Sequence, residues 1–366
     1  MNIQQMRKKI LINTPFITSP AGVANHYLGL KLFFSEKVIY NQYFTSFYVQ
    51  KITKSKLASK IIFPFAFLFN YVKFIYLILK YKRPTILVNP SFGKTALKRD
   101  ALIVKIAKYF GCKVAVFMHG WDKEYLNLVL NNKEYFSSSW KKVDCYFVLA
   151  NEFKNYLIQL GITSPIHLTT TKVNDKLIEG FNSKNIAEIK TILFLARVEK
   201  AKGIITTIEV LELLNQKYSN INLRVVGRGD YLQEARKLCQ DKNIDNVIFT
   251  GPLSGDNLKQ EFINSDVYIL PTTHGEGMPT SVLEAMAFGL PVITRPVGGL
   301  VDFFENDKMG YMIESLDAKG YSDKIEYLIN NIEKTNEISK YNMEYARQHF
   351  MATKVAKQLE DIIIKL

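Results

Sequence analysis

Residues 266–294 read DVYILPTTHGEGMPTSVLEAMAFGLPVIT. Asp266–Leu270 is short and apolar on consecutive positions, as a strand buried on both faces should be. Gly275 and Gly277 follow, and they let the backbone turn tightly and come close to a ligand. Pro279 favours the first turn of a helix that should run to about Phe288. Gly289 marks its C-terminal stop, and Pro291–Thr294 is the next strand. A helix starting at the carboxyl edge of a parallel strand offers free N–H groups and a positive dipole end to phosphate. The ligand crevice of such a sheet is expected at that same edge.

The same alternation continues outward. Further strands are expected at Lys9–Asn13, Thr85–Asn89, Lys113–Met118 and Asp144–Ala150, and at Thr191–Ala196, Asn222–Val226 and Asn246–Thr250. Amphipathic segments lie between them, such as Ile204–Lys217, Tyr231–Gln240 and Asn257–Asn264. This predicts two parallel α/β sheets, with a break near residues 165–190. Thr335–Leu366 shows two stretches of helical period and no strand signal.

The strand ends carry the chemistry. Arg197 closes one strand, with Lys202-Gly203 just beyond, and two cations there make a pyrophosphate clamp. Gly227-Arg228-Gly229 ends the next, with glycines suited to close ligand approach. Gly251-Pro252-Leu253-Ser254 ends the third, where Ser254 should cap a helix. Glu276 falls in the loop before the helix and Glu284 about one turn inside it. Carboxylates there suit sugar hydroxyls rather than phosphate. A helix-surface charge and a first-turn dipole partner are the plainer readings of the same two residues.

Charge is unevenly placed. Residues 1–170 carry 24 Lys and Arg against 7 Asp and Glu, whereas residues 171–366 carry 24 against 27. A first half at +17 suits an anionic surface. No aromatic-basic recognition motif accompanies it, so no nucleic-acid partner is expected. Ile61–Leu79 is almost wholly apolar and aromatic. Lys73 near its centre argues against a membrane span. It is expected either as a core helix or as a helix in the membrane interface, with Lys51, Lys54, Lys56 and Lys60 on headgroups. Arg7-Lys8-Lys9 precedes only a five-residue run, Ile10 to Thr14, which does not read as a signal peptide. Cys112, Cys145 and Cys239 are too scattered for a disulfide framework, so a reducing cytoplasm is expected.

The stretch from Ile192 to Ile313 resembles the donor domain of family-4 retaining glycosyltransferases of the GT-B type. The matching pieces are Arg197 with Lys202-Gly203; Gly227-Arg228-Gly229; Phe249 to Ser254; the run from Glu276 to Pro291; and Val297-Gly298-Gly299. Pro90-Ser91-Phe92-Gly93-Lys94 and Phe117-Met118-His119-Gly120-Trp121-Asp122 more loosely resemble acceptor domains of bacterial surface-polysaccharide enzymes. Ala196 stands where that family often has glycine, and its glycine-rich loop after the first strand is reduced to Ala21-Gly22-Val23.

The resemblance implies a GT-B fold, two Rossmann-like domains facing across a cleft. They would span 1–170 for the acceptor and 171–345 for the donor, with a final helix at 346–366 returning to the first. It implies that Arg197 and Lys202 hold the donor phosphates and stabilise the leaving nucleoside diphosphate, that Glu276 contacts the transferred sugar, and that Glu284 binds the ribose. Gly277, Met278, Pro279 and Thr280 would meet the sugar and distal phosphate through their backbone, and Gly227 and Leu253 would lie by ribose and base. His119 would touch donor or acceptor, although a lone histidine at a strand end is more often structural. No Asp-x-Asp triad occurs, and His26, His167, His274 and His349 are isolated, so no metal and no other cofactor are expected. The activity implied is retaining transfer from a UDP- or GDP-sugar to a glycan; the basic first half adds the expectation of a polyprenyl-diphosphate-linked acceptor and of a protein peripheral on the inner face of the cell membrane. A nucleotide-sugar epimerase, a phosphorylase or a non-catalytic nucleotide-sugar binder are the alternatives.

Overall fold

The computed structural model describes residues 9–16 and 22–366. Arg7, Lys8 and Ala21 lie outside the described residues. The chain divides into two compact units: residues up to Lys172 together with Ala352–Leu366, and Val173–Met351.

The first unit runs β1 (Ile10–Pro15), α1 (Gly22–Leu30), β2 (Val38–Tyr43), α2 (Ser46–Thr53), α3 (Lys56–Lys80), β3 (Thr85–Val88), α4 (Lys94–Tyr109), β4 (Val114–Phe117), α5 (Lys123–Asn131), β5 (Cys145–Val148), α6 (Asn151–Gln159) and β6 (Ile166–Leu168). The second runs α7 (Asp175–Ile178), β7 (Thr191–Leu195), α8 (Ile204–Asn215), β8 (Asn222–Val226), α9 (Leu232–Asp241), β9 (Val247–Gly251), α10 (Gly255–Ile263), β10 (Val267–Leu270), α11 (Thr280–Ala287), β11 (Val292–Thr294), β12 (Gly310–Met312), α12 (Ala318–Asn330) and α13 (Ile332–His349). The last helix, α14 (Ala352–Ile364), lies in the first unit. There Glu360 accepts from the amide of Ser35 at 2.9 Å and from its hydroxyl.

Each unit holds one six-stranded sheet, in the orders β2-β1-β3-β4-β5-β6 and β12-β11-β10-β7-β8-β9, with every pairing parallel. Helices cover both faces, so the inner strands are buried throughout, as in Ile86, Leu87 and Val88 of β3 or Ile192, Leu193 and Phe194 of β7. Strand order reverses between β1 and β3 in one sheet and between β7 and β10 in the other. Those two switch points are where a doubly wound sheet opens a ligand crevice at its carboxyl edge.

Helix α3 does not have the burial of a core helix. Asn70, Tyr71, Phe74 and Ile78 face inward, but Ile61, Phe65, Leu68, Val72, Tyr76 and Leu79 are each more than half exposed. The docked face is held by polar bonds: the Asn70 side chain accepts from the Phe44 amide and donates to its carbonyl, both at 3.0 Å. Lys73 donates to the Gln42 carbonyl at 3.1 Å, and burial lowers its pKa. Among the described residues α3 is the one helix long and apolar enough to cross a membrane.

Candidate active site

The second unit builds its site at the β7/β10 switch point. The loop after β7 ends in a short 3-10 turn, Lys200–Lys202, and Gly203 follows with φ +84°. A Cβ on Gly203 would sit 2.4 Å from the Pro271 carbonyl oxygen, so the two loops touch through backbone. The Ala201 carbonyl accepts from the Thr273 amide at 2.8 Å, the His274 amide at 3.1 Å and the Thr272 hydroxyl at 3.1 Å. That staple fixes Lys202 against the loop after β10, where its ammonium donates to the Glu276 carboxylate. Lys202 is 7% exposed. Its ammonium has three donors, and Glu276 is a partner for one, which leaves donors for an anionic ligand. Arg197 is exposed and bonded to Glu199 at 2.5 Å. The exposed His274 ring has its pKa lowered, first by desolvation and then by the Lys202 charge, with Glu276 opposing, so it is neutral at pH 7.

The glycines of this edge serve the protein's own backbone. Gly227 has φ +149°, and a Cβ there would lie 1.9 Å from the Ala196 carbonyl oxygen. At Gly229 it would lie 2.2 Å from the Val198 carbonyl oxygen. The Val198 amide donates to the Arg228 carbonyl at 3.1 Å, and the Gly227 amide to the Gly251 carbonyl at 3.0 Å. The loops after β7, β8 and β9 are thus laced together, and the close approach expected to a ligand is made to a neighbouring loop. Leu253 sits half-buried after β9. Ser254 occupies the cap position of α10, but its side chain makes no cap bond.

Helix α11 begins at Thr280, with Pro279 as its cap residue and no side-chain cap. Proline has no N–H, so the backbone donors near this end are Gly277, Met278 and Thr280, not Pro279. Gly298, at φ +52°, lets the segment after β11 press beneath this loop; a Cβ would meet the Glu276 and Gly277 carbonyl oxygens at 2.2 and 2.4 Å. Glu284 is half-buried on the second turn. Two residues that sequence reasoning missed stiffen the helix end. Tyr268, in the middle of β10, donates its hydroxyl to the Leu195 carbonyl and lies 2.7 Å from the Ser281 hydroxyl oxygen. Burial raises its pKa, so it stays a neutral phenol. A polar ring tip in an otherwise apolar strand was the available signal.

In the first unit, the loops after β3 and β4 hold one another. The Phe92 amide donates to the Gly120 carbonyl at 2.6 Å and the Asp122 amide to the Phe92 carbonyl at 2.9 Å. The rings of Phe92 and Trp121 stack at 4.4 Å. The two motifs singled out in this half are therefore one structural piece. His119 lies half-buried on it, stacked on Phe117 at 3.9 Å, with Nε2 3.1 Å from Asn89 Oδ1. Asn89 donates through Nδ2 to the Asn13 carbonyl and accepts the Tyr27 hydroxyl at 2.6 Å, which fixes Oδ1 as an acceptor. His119 Nε2 must then carry the proton, and Nδ1 is the ring's acceptor nitrogen. Burial pushes its pKa down to about 3, so it is neutral. Asn89, which sequence reasoning also missed, ends an apolar strand with an amide.

Residues 178–345 match the family model described as Glycosyl transferases group 1. That match covers most of the second unit, Val173–Met351. The chain is similar to the capsular polysaccharide biosynthesis glycosyltransferase CapM of Staphylococcus aureus, 27% identical over 220 residues that cover 58% of this chain and 56% of the relative. It is also similar to a GDP-mannose-dependent alpha-(1-6)-phosphatidylinositol monomannoside mannosyltransferase of Mycobacterium tuberculosis, 27% identical over 49% of this chain and 48% of that one. The chain spans about half the length of the curated relatives it matches. Among solved structures, Anabaena Alr3699/HepE in complex with UDP superposes with a TM-score of 0.73 at 14% identity, over 98% of this chain and 100% of that one. A glycosyltransferase from Rickettsia africae superposes with a TM-score of 0.72 at 16% identity, over 98% of each. The fold is GT-B. Among the described residues no group of three or more His, Cys, Asp or Glu side chains is placed to hold a metal ion.

Proposed function

We propose that this chain is a retaining, metal-independent glycosyltransferase that moves a sugar from a UDP- or GDP-sugar to a lipid-linked glycan in surface polysaccharide or glycolipid synthesis. The observation that carries this reading is the Lys202–Glu276 pair, set beside the uncapped end of α11 at the switch point of the second sheet. The relatives' names support it: one is GDP-mannose-dependent, one acts in capsule synthesis, and the Anabaena structure holds UDP.

In the reaction the bond from the anomeric carbon to the diphosphate breaks and one to the acceptor oxygen forms on the same face. The acceptor's proton leaves with the departing diphosphate. Negative charge grows on that diphosphate, and Lys202, Arg197 and the N–H groups of Gly277, Met278 and Thr280 can oppose it without a metal. Glu276 orients Lys202 and lies nearest the sugar, Glu284 holds the ribose, and neutral His119 serves the acceptor.

The first unit presents the acceptor at a membrane. Residues 46–83 contain eight Lys and Arg and no Asp or Glu, and they carry the exposed apolar face of α3. Such a segment lies in an anionic interface, on the cytoplasmic side where nucleotide sugars are found.

The test is transfer itself. Purified protein is incubated with a panel of UDP- and GDP-sugars and a membrane-lipid extract, and products are separated and their anomeric configuration read. One donor should give a glycolipid with the donor's configuration kept. An altered free nucleotide sugar would mean an epimerase, a sugar phosphate made with inorganic phosphate would mean a phosphorylase, and donor binding without turnover would mean a binding protein.

A further inference from the structure

The first unit contains a pocket that the transfer chemistry does not use. It encloses about 180 Å³ between the carboxyl ends of β1 and β2, the start of α2 and the facing sides of α3 and α4. Its walls carry the rings of Tyr43, Phe44, Phe63, Phe67 and Tyr71, with Ile103.

Several of the polar groups in those walls are already bonded within the protein. Arg99 forms two bonds to Asp100, at 2.7 and 2.6 Å, and lies over the Tyr43 ring, 4.7 Å from its centre. Asn70 uses both ends of its amide on Phe44, and Asn13 Oδ1 accepts from Asn41 at 2.8 Å. Thr45 accepts from the Tyr48 amide as the cap of α2. A sugar or phosphate entering here would lose its water and find few free partners, which is costly. A hydrocarbon would lose only its contact with water.

The pocket also continues into an apolar surface. Leu57, Ile61, Phe65, Leu68, Val72, Tyr76 and Leu79 repeat every three or four positions and are all exposed, so they form one stripe along α3. From Leu57 to Leu79 the stripe runs for about 33 Å. Phe67 belongs to both places, since it lines the pocket and is 37% exposed. Between Phe63 and Phe67 stands Pro64, which cannot make the helix bond to Lys60 and loosens the wall at that point.

We infer that this pocket takes the hydrocarbon chain of a membrane lipid, drawn in past Phe63 and Phe67 from the stripe on α3. The inference rests on the transferase reading only in naming that lipid as the acceptor's carrier. It gives the acceptor two recognised parts, a hydrocarbon chain held under α3 and a glycan outside the pocket.

The probe is dodecyl phosphate below its micelle concentration, titrated into the full chain, with inorganic phosphate as the headgroup control. Ser46→Trp and Thr95→Trp fill the pocket from α2 and from α4 at exposed positions, so neither removes a core contact. Excluding two or more methylenes should weaken dodecyl phosphate binding by about tenfold or more in each variant. UDP or GDP binding and flotation with anionic vesicles should stay as in the parent. Equal dodecyl phosphate affinity in parent and both variants, no binding at all, or full displacement by inorganic phosphate would overturn the inference. The two readings fail separately: pocket-dependent chain binding without any sugar transfer removes the transferase, and transfer without chain binding removes the pocket.

Discussion

The strand-end loops of the second unit and the α2–α3 segment of the first solve opposite problems. In the second unit, glycine and polar residues bond to one another: Gly227 to Gly251, Ala201 to Thr272, Thr273 and His274, and Lys202 to Glu276. The outcome is a stiff cradle beside the start of α11, which has no side-chain cap. In the first unit, one side of α3 is tied down through Asn70 and Lys73, and the other is left apolar and uncovered. A site built for a charged, water-soluble ligand fixes its donors in advance, whereas a surface built for a lipid leaves apolar area for the lipid to cover.

The largest expected effect lies on the lipid side. Changing Lys51, Lys54, Lys56 and Lys60 to Glu should abolish flotation with anionic vesicles, since each lysine near such a surface contributes on the order of 1 kcal/mol. Flotation unchanged by the substitutions, or equal on neutral vesicles, would leave the basic half without this role.

On the cradle side, Gly227→Ala forces a Cβ into the Ala196 carbonyl and should cost about 3 kcal/mol of stability. Gly251→Ala, at φ +75° with nothing within 4 Å, should cost only about 1 kcal/mol. Chemical denaturation of the two variants compares them directly, and equal losses would mean that the lacing of loops is not what Gly227 supports. Glu276→Gln should reduce turnover by about a hundredfold. It should leave nucleoside diphosphate affinity unchanged or tighter, because Lys202 loses its competing carboxylate. Near-normal turnover would remove Glu276 from the reaction.

A smaller effect concerns pH. An unfolded histidine titrates near 6.5, while folding holds His119 at about 3. The unfolded chain therefore takes up the proton first, and stability that is complete above pH 6.5 is lost as pH falls towards 3. His119→Gln keeps a donor for Asn89 and should flatten part of that slope in thermal melts between pH 7 and 4; an unchanged slope would show that His119 is not protected. Least of all, Ser254→Ala should change stability by less than about 0.5 kcal/mol, since no cap bond is lost.

The inner strands were legible because burial on both faces demands consecutive apolar residues: β10, Val267–Leu270, is buried throughout and was expected at Asp266–Leu270. The strands missed are β2, β6 and β12, all at sheet edges. An edge strand is paired on one side only, and these are short or polar, as in Ile166–Leu168 or in β2, where Asn41 bonds Asn13 across the ladder. The helix after Glu276 was legible through Pro279 and Gly289, which lies just past α11 at φ +72°. Partners were not. Lys202 and Glu276 are 74 residues apart, and nothing local says that one will bond the other. Nor could the purpose of Gly227 be read, because a glycine that admits a ligand and one that admits a neighbouring loop look alike in sequence.

The central claim is that the β7/β10 switch point binds a nucleoside diphosphate through Lys202, Arg197 and the end of α11, without a metal. Calorimetric titration of UDP and GDP into the parent and Lys202→Ala, both in excess EDTA, tests it most directly. The account predicts that one of the two binds the parent in EDTA and that Lys202→Ala weakens it by about tenfold or more. Binding that vanishes in EDTA and returns with magnesium or manganese, or that is the same in Lys202→Ala, would contradict it.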